Sequence, residues 1–312
     1  MSQIKQDQKI ARLYYIEGYS QSEIAKKLSI SVASVSRAIT RAKESGVVKI
    51  TIQESGESYS ALEAVLEKRY GLNECSITQS FDQDINVYAG FSDALQEILS
   101  RILPKGGLVG VSWGETLKSV GDFLSPQVLQ WTQADVVPMI GAMGTVETGI
   151  YPNSIARVLA DKLGGKAYLV NAPAVSDSPD MNQVLYNSKT FAPVRELWSS
   201  LAVALVGCSG IDSHTSVVRN NIFTVDELET VQKTGCVSAV NFSFLDSQGQ
   251  SVSHSIGDRI LHVTLDQLKT IPQVVLLAHG ISKVQAIKAA LASGAIKTLI
   301  TDEKTGLALK NH

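Results

Sequence analysis

The sequence predicts an α/β fold in two domains, a small helical domain followed by a larger domain with a mainly parallel sheet. Three observations support this fold class. The 312 residues exceed one average domain. The first 53 residues contain helical patterns and an excess of basic residues, and beyond residue 73 short apolar runs alternate with helical segments. We therefore expect one domain at 1–53 and another at 54–312.

Two short helices joined by a tight turn are predicted near the amino terminus. Ser20 is a favourable N-cap for a helix over residues 21–28, and Glu23 can complete a capping box. Ser31 repeats the arrangement for a second helix that stops near Gly46. The apolar stripe in QKIARLYYIEG predicts a third, earlier helix, and the alternation in VVKITIQ predicts a short strand as a wing. Together these elements predict a winged helix-turn-helix domain.

The outer face of the second helix indicates contact with DNA. It begins with short hydroxyl side chains and continues with cations, an order that suits base edges first and phosphates second. One departure is Ser29, which stands in the turn where glycine is common. An ordinary amphipathic helix pair is the alternative, but caps, spacing and polar face together favour DNA. The candidate DNA contacts are Ser20, Gln21, Ser31, Ala33, Ser34, Ser36, Arg37, Thr40, Arg41 and Lys43.

The charge is distributed unevenly between the two predicted domains. Residues 1–53 carry nine Lys and Arg against four Asp and Glu, so a chain of net charge −2 has +5 in its head and −7 in its remainder. A basic first domain joined to an acidic second domain is expected when only the first domain binds nucleic acid. The three cysteines lack a CxxC pattern, and no run of about 18 apolar residues occurs. We therefore expect no metal, no cofactor, no membrane partner and a cytoplasmic location.

After a polar linker, ESGESYS, the larger domain begins with a helix in ALEAVLEKRYGL. This helix could cover the domain or pair with its copy in a second chain, and covering is favoured. Strand-like runs then alternate with helical segments, which predicts a parallel sheet that binds ligands at the carboxyl ends of its strands. The predicted strands are CSIT, LVGVSW, DVVPMIG, AYLVNAP, LAVALVG, VVLLAHG and TLIT.

Glycine and hydroxyl residues follow four of these strands, in GVSWGETL, IGAMGTVETG, VGCSGID and AHGISK. Exposed amides at such turns can hold an anion, although glycine there is more often structural. Catalysis has weaker support, because no HExxH, metal-ligand spacing or complete GxSxG elbow occurs. Asp177, Asp180 and Asp258 could serve acid–base roles, but sequence cannot pair them. We expect no enzymatic activity. The alternatives are an isomerase-like enzyme with a DNA-binding appendage and an oligomerisation domain without ligand.

In order along the chain, YSQSEIAKKLSIS, SVSRAI, GVSWGETL, PNSIARVLADKLG, NAPAV, DSQG and AHGISKVQAIKAAL resemble the SorC/DeoR-type sugar-responsive transcriptional regulators of bacteria. The resemblance covers almost the whole chain. It implies an effector domain similar in fold to ribose-phosphate isomerases and glucosamine-6-phosphate deaminases. It also implies operator DNA, a sugar or sugar-phosphate effector, and a homo-oligomer (a dimer or, typically in this family, a tetramer) as partners.

The resemblance also suggests effector contacts, with Lys283 and Arg219 suited to a phosphate by charge. Three departures predict an unusual effector, unphosphorylated or with fewer hydroxyls. Ala239 replaces an aspartate that contacts ligand hydroxyls, Ile140 replaces a Schiff-base lysine found in one branch, and His279 replaces the first glycine of a Gly-Gly turn. The candidate effector contacts are Ser112, Gly114, Thr116, Gly141, Gly144, Thr145, Asn153, Arg219, Asp258, Gly280 and Lys283.

Overall fold

The computed structural model describes residues 3–48, 58–144, 149–211, 216–220 and 222–311. The chain divides into two compact units, residues 1–57 and 58–312. The predicted domain boundary near residue 53 and most of the predicted wing fall at residues 49–57, outside the described part of the chain.

The described part of the first unit, residues 3–48, is a bundle of three helices, and the second and third of them form the predicted helix-turn-helix. Its helices are α1 Gln3–Tyr15, α2 Gln21–Leu28 and α3 Val32–Glu44. Apolar side chains from all three helices bury one another, with Ile10, Ile24 and Val35 at the centre.

Both predicted caps of this unit are confirmed. The Ser20 hydroxyl accepts from the Glu23 amide while the Glu23 carboxylate accepts from the Ser20 amide, and Ser31 accepts from the Ser34 amide. Ser29, in the turn between α2 and α3, has φ +52 and ψ +45. That is the left-handed conformation, which explains why glycine would be favoured there.

The described part of the second unit contains ten strands. They are β1 Glu74–Thr78, β2 Leu108–Val111, β3 Ala134–Pro138, β4 Gly164–Ala167, β5 Val203–Val206, β6 Cys208–Ser209, β7 Ser238–Val240, β8 Ser243–Leu245, β9 Gln273–Leu277 and β10 Thr298–Asp302. Seven of them form a parallel sheet in the order β1-β10-β9-β5-β2-β3-β4, and β6, β7 and β8 form a small antiparallel sheet. The predicted α/β class with a mainly parallel sheet is confirmed.

Helices cover both faces of the large sheet, which explains why its central strands are apolar throughout. They are α4 Ser60–Tyr70, α5 Asp84–Ile102, α6 Glu115–Phe123, α7 Pro126–Leu129, α8 Pro152–Leu163, α9 Pro179–Asn187, α10 Ala192–Ser199, α11 Ser216–Arg219, α12 Val225–Gln232, α13 Leu265–Thr270, α14 Val284–Ala292 and α15 Glu303–Asn311. One face packs on α4, α10, α13, α14 and α15, and the other packs on α5, α6, α7 and α8.

Helix α4 packs against the edge strand β1, as the favoured interpretation of its sequence predicted. The Glu63 carboxylate accepts from the Ile77 amide at 2.8 Å, and the Glu67 carboxylate accepts from the Cys75 amide at 2.9 Å. These two side chains satisfy amides that an edge strand otherwise leaves unpaired.

Two parts of the sheet architecture differ from the sequence prediction. AYLVNAP is not a full strand, because β4 ends at Ala167 after a register shift against β3. The chain then continues irregularly, with isolated bridges from Ala142 to Pro173 and from Val175 to Ile260. The small antiparallel sheet was not predicted as a unit, since its strands have only two or three residues.

None of the helices in the described ranges combines the length and apolarity that crossing a membrane requires.

Candidate functional site

The exposed face of α3 presents a polar strip in the first unit. Ala33, Ser36, Arg37 and Thr40 are all exposed on it. The Arg37 guanidinium has one long hydrogen bond, 3.4 Å, to the Ser34 hydroxyl. It can therefore turn towards an external acceptor at small cost.

Other predicted DNA contacts on this unit also serve local structure. Ser20, Ser31 and Ser34 are held by the cap hydrogen bonds, and each remains at least partly exposed. Gln21 begins α2 and is half-buried, and Lys43 is exposed with its ammonium 5.8 Å from the centre of the Tyr15 ring.

Arg41 has a structural role besides the DNA contact that its sequence position suggested. Its guanidinium donates two hydrogen bonds to the Asp7 carboxylate, at 3.0 and 2.7 Å, and thereby ties α3 to α1. Asp7 is only 7% exposed. The hydrogen bond from Arg41 lowers the pKa of Asp7, so this carboxylate stays ionised. Arg41 therefore packs α1 on α3, while its side chain remains 41% exposed and keeps further donors, so its predicted DNA contact stays a prediction.

In the second unit, a cavity of about 510 Å³ opens at the carboxyl ends of the neighbouring strands β9, β5 and β2. Such an edge is where parallel α/β sheets bind ligands. Five predicted effector residues line this one cavity: Ser112, Gly114, Thr116, Arg219 and Lys283.

One side of the cavity is suited to an anion. Gly114, with φ +114, precedes α6, and no side chain among the described residues caps this helix, so its first amides are left for a ligand. Lys283 approaches from the loop after β9, and its ammonium has no ion pair among the residues described. Two carboxylates, Asp84 and Glu115, also line the cavity and would repel an anion placed beside them. The amides and Lys283 together favour a single, well-placed negative group.

The cavity also has an aromatic wall, a feature that sequence analysis did not identify. Trp113 stacks on Phe242 with the ring planes 5° apart and the centroids separated by 5.4 Å. The rings of Phe223 and Phe242 are edge to face, with their centroids 5.7 Å apart. Flat apolar rings of this kind can pack against the carbon-bound hydrogens of a sugar or against another apolar group.

The backbone at Phe242 is held in an unusual conformation. Asn241 and Phe242, with φ +47 and +64, form the turn between β7 and β8. Left-handed backbone is costly for a residue such as phenylalanine. The Asn241 amide group donates to the Val263 carbonyl at 2.8 Å, which helps to hold the turn. The fold therefore keeps the Phe242 ring in the cavity wall against a local backbone preference.

The structure places several predicted effector residues elsewhere, and we remove them from this cavity. The Asn153 amide bridges the main chain of Val170, with both hydrogen bonds at 3.0 Å. Gly141 packs so closely that a β-carbon would lie 2.6 Å from the Ala174 backbone. Asp258 lines a second cavity.

Two further predicted residues do not belong to the lining of the cavity, and a third lies outside the described residues. Gly280 precedes the Lys283 turn with φ +105 and donates its amide to the Thr305 hydroxyl, so it positions the loop. Gly144 has φ +66 and faces the Tyr151 ring. Thr145 lies outside the described residues.

The three positions that depart from the family pattern have clear surroundings. Ala239 lines the cavity, so this wall offers a methyl group in place of a carboxylate. Ile140 is fully buried in apolar packing. His279 lies edge-on to the rings of Tyr88 and Phe91, at 5.4 and 5.5 Å. Burial, and then the charge of Lys283, lower the pKa of His279 and keep its ring neutral.

Cys208 also lines the cavity, but its thiol is unsuited to nucleophilic chemistry. Burial raises its pKa to about 12, so the reactive thiolate is scarce near neutral pH. Within the described ranges, no three His, Cys, Asp or Glu side chains come together as a metal site.

A helix-turn-helix bundle followed by an α/β domain with a strand-end cavity defines a DNA-binding protein that senses a small ligand. Residues 56–309 match the family described as "Putative sugar-binding domain", and residues 5–45 match "Sigma-70, region 4". The first match covers most of the chain. The chain therefore belongs to the SorC/DeoR-type family of sugar-binding transcriptional regulators, as its sequence motifs predicted.

Individual relatives agree with this family over nearly the full length. The chain is 30% identical over 305 residues to the deoxyribonucleoside regulator of Bacillus subtilis, with 96% of each chain covered. It is 28% identical over 301 residues to the sorbitol operon regulator of Klebsiella pneumoniae, with 95% of each covered. The crystal structure of the full-length sorbitol operon regulator SorC from Klebsiella pneumoniae matches with a TM-score of 0.75 and 26% identity, covering 98% of this chain and 99% of that one. These relatives are transcriptional regulators, which confirms the prediction that the chain is not an enzyme.

Proposed function

We propose that this regulator binds an operator through α3 and that a sugar or sugar phosphate in the 510 Å³ cavity changes its operator affinity. The observation that carries the proposal is the combination, in one cavity, of uncapped α6 amides, the Lys283 ammonium and an aromatic wall. The amides and ammonium suit a phosphate or carboxylate, and the rings suit the apolar face of a sugar.

The absence of an acidic side chain at position 239 affects which effector the cavity can bind. Without a carboxylate at that wall, fewer ligand hydroxyls find an acceptor there, and among the described residues Asp84 and Glu115 are the carboxylates that line the same cavity. The effector is therefore expected to have a less hydroxylated body, and if it is phosphorylated, the α6 amides and Lys283 are the groups that would hold its phosphate.

The same proposal includes assembly and location. A single helix-turn-helix covers too few base pairs for strong selectivity, so a homodimer or homotetramer on a repeated operator is needed. Operator binding places the protein with the chromosome, in the cytoplasm. Sedimentation of the full chain should give at least a dimer on DNA. A 33.5 kDa monomer both free and on DNA would contradict this part.

The effector site is tested by titrating an operator duplex, selected from a random library, with and without a panel of sugar phosphates and the matching free sugars. Lys283→Ala should weaken the effector response by roughly 10- to 150-fold in effector concentration, because hydrogen bonds to charged groups contribute about 1.5–3 kcal/mol. DNA affinity without effector should not change, since the two sites belong to different domains and are linked only through a change of state.

Lys105→Ala is the matched control for this experiment. Lys105 is exposed and precedes β2, so it lies at the amino end of the strand whose carboxyl end forms the cavity. It should leave the effector response unchanged. A Lys283→Ala protein that responds at the wild-type effector concentration would remove Lys283, and the anion, from the proposed site.

A further inference from the structure

The 510 Å³ cavity is lined by charges of both signs. Among the described residues its cations are Lys283 and Arg219, and its carboxylates are Asp84 and Glu115. Neither carboxylate forms an ion pair or a side-chain hydrogen bond with a described residue, and the same holds for the Lys283 ammonium. These three charged groups are therefore left for a ligand.

The two carboxylates stand at the beginnings of two helices that pack side by side. Asp84 is the first residue of α5, and Glu115 is the first residue of α6. The two helices are in contact along their length. The helix dipole favours an acid in the first turn, so helix stability alone would account for either residue. It does not account for both carboxylates lining one cavity.

Tyr88 shows that both carboxylates reach the same part of the wall. It lies one turn along α5 from Asp84 and lines the cavity. Burial raises the pKa of Tyr88, the charges of Asp84 and Glu115 raise it further, and the Thr116 hydroxyl lowers it. Because the interaction between charges weakens with distance, both carboxylates lie close to this one phenol.

Cations near the two helix starts have other partners. Lys118, one turn along α6 from Glu115, pairs with Asp122 at 3.1 Å, and Lys304 pairs with Asp82 at 3.6 Å. A ligand with only an anionic group would leave both cavity carboxylates uncompensated, and a neutral ligand would leave the Lys283 charge uncompensated as well. A ligand that carries both an anion and a cation compensates all three.

Ser112 gives independent evidence that this cavity holds a ligand. It is 2% exposed and lines the cavity at the end of β2, and its hydroxyl has no hydrogen-bond partner among the described residues. Buried hydroxyls are rarely left without a partner. A bound molecule is the remaining source of one.

We propose that the effector is an amino-sugar phosphate, whose phosphate binds the α6 amides and Lys283 and whose ammonium group binds Asp84 and Glu115. The inference rests on the proposed function of this cavity and specifies the chemical class of its effector. An amine in place of a hydroxyl also agrees with Ala239, because that wall offers no carboxylate to accept from a hydroxyl.

The test is isothermal titration of the full-length protein, with EDTA present, using three matched pairs of ligands. These are the 6-phosphates of D-glucosamine, D-galactosamine and D-mannosamine, each against the 6-phosphate of its parent sugar. In at least one pair the amino-sugar phosphate should bind about 3- to 30-fold more tightly, because contacts between exposed charges are modest and two of them act together. Its N-acetyl derivative, which has no positive charge, should bind no better than the parent.

Asp84→Asn and Glu115→Gln remove each charge while keeping the shape of the side chain. Each should weaken the amino-sugar phosphate and tighten the parent sugar phosphate, since the first ligand loses an attraction and the second loses a repulsion. A variant that folds poorly would weaken both ligands instead.

Asp180→Asn is the matched control. Asp180 is an exposed acid in the first turn of α9, and it lines neither of the two cavities. Its replacement removes the same kind of contact with a helix dipole. It should leave both affinities unchanged.

Three results would overturn the inference. One is equal affinity within all three pairs. Another is weakening of both ligands of a pair by Asp84→Asn and by Glu115→Gln. The third is an absence of amine preference together with a parent sugar phosphate that tightens only when MgCl2 replaces EDTA, which would assign the carboxylates to a divalent cation.

The proposed function is judged separately. Parent sugar phosphates that bind and change operator affinity, with no preference for the amine, would leave that function standing and remove only the amino-sugar class. Binding of no sugar phosphate at all would contradict both.

Discussion

Replacing Arg37 by alanine is expected to reduce discrimination between operator and random DNA. Arg37 is exposed on α3, and its guanidinium gives up only the 3.4 Å hydrogen bond to Ser34 when it turns to a base. A bidentate arginine–base contact contributes roughly 1–3 kcal/mol of discrimination, so the ratio of the two affinities should fall by about 5- to 160-fold. Fluorescence anisotropy with a labelled operator and a scrambled duplex at fixed salt measures this ratio.

Lys43→Ala is the matched control for Arg37→Ala on the same helix. Lys43 is exposed near the carboxyl end of α3, where the sequence pattern predicts phosphate contacts. Its loss should weaken operator and scrambled duplex about equally and lower the salt dependence of binding by about one ion.

Two results would refute this placement of α3 in the groove. An Arg37→Ala protein with an unchanged affinity ratio would show that Arg37 makes no base contact. A Lys43→Ala protein that loses operator binding selectively would show that the two roles are reversed.

Three further predictions concern folding. Asp7→Asn should lower the melting temperature of the amino-terminal unit at neutral pH. Arg41 lowers the folded-state pKa of Asp7, so the stability that this carboxylate contributes is fully present above the ordinary carboxyl pKa. That stability is lost as the pH falls through the lowered folded-state pKa. The Asp7→Asn variant should therefore lack this part of the acid-induced loss of stability. Ser29→Gly should stabilise this unit by about 0.5–1 kcal/mol in thermal unfolding, since glycine relieves a left-handed residue; destabilisation would contradict the strain. Asn153→Ala should cost roughly 1–3 kcal/mol, because the main chain of buried Val170 loses two partners, while effector affinity changes little; selective loss of effector binding would return Asn153 to the site.

Much of the fold was predictable because its signals are local. Ser20 and Ser31 each cap a helix through amides three residues away, so short-range chemistry fixes where α2 and α3 begin. The central strands are buried on both faces and appear in the sequence as continuous apolar runs. AYLVNAP has the same apolar character, but whether it pairs with β3 depends on register and on contacts with distant loops.

The residues of the candidate effector site also fall into two groups, those that local sequence marked and those that only tertiary contacts bring together. Glycine and hydroxyl residues at strand ends marked Ser112, Gly114 and Thr116, since a strand-to-helix turn is visible in sequence. Nothing local marked the aromatic wall, because Trp113 and Phe242 are far apart in the chain and meet only through the β7–β8 turn.

The sequence by itself determined the class of this protein: a capped helix-turn-helix with a polar outer face, and an α/β domain with glycine- and hydroxyl-containing turns at its strand ends. Tertiary structure decided which polar side chains remain available to a ligand. Asn153 has the chemistry of a binding residue, but the main chain of Val170 occupies its amide group, and Asp7, 34 residues from Arg41, takes two of the donors of that guanidinium. A side chain's donors and acceptors are used by the nearest complementary atoms, and only the folded chain sets which atoms are near.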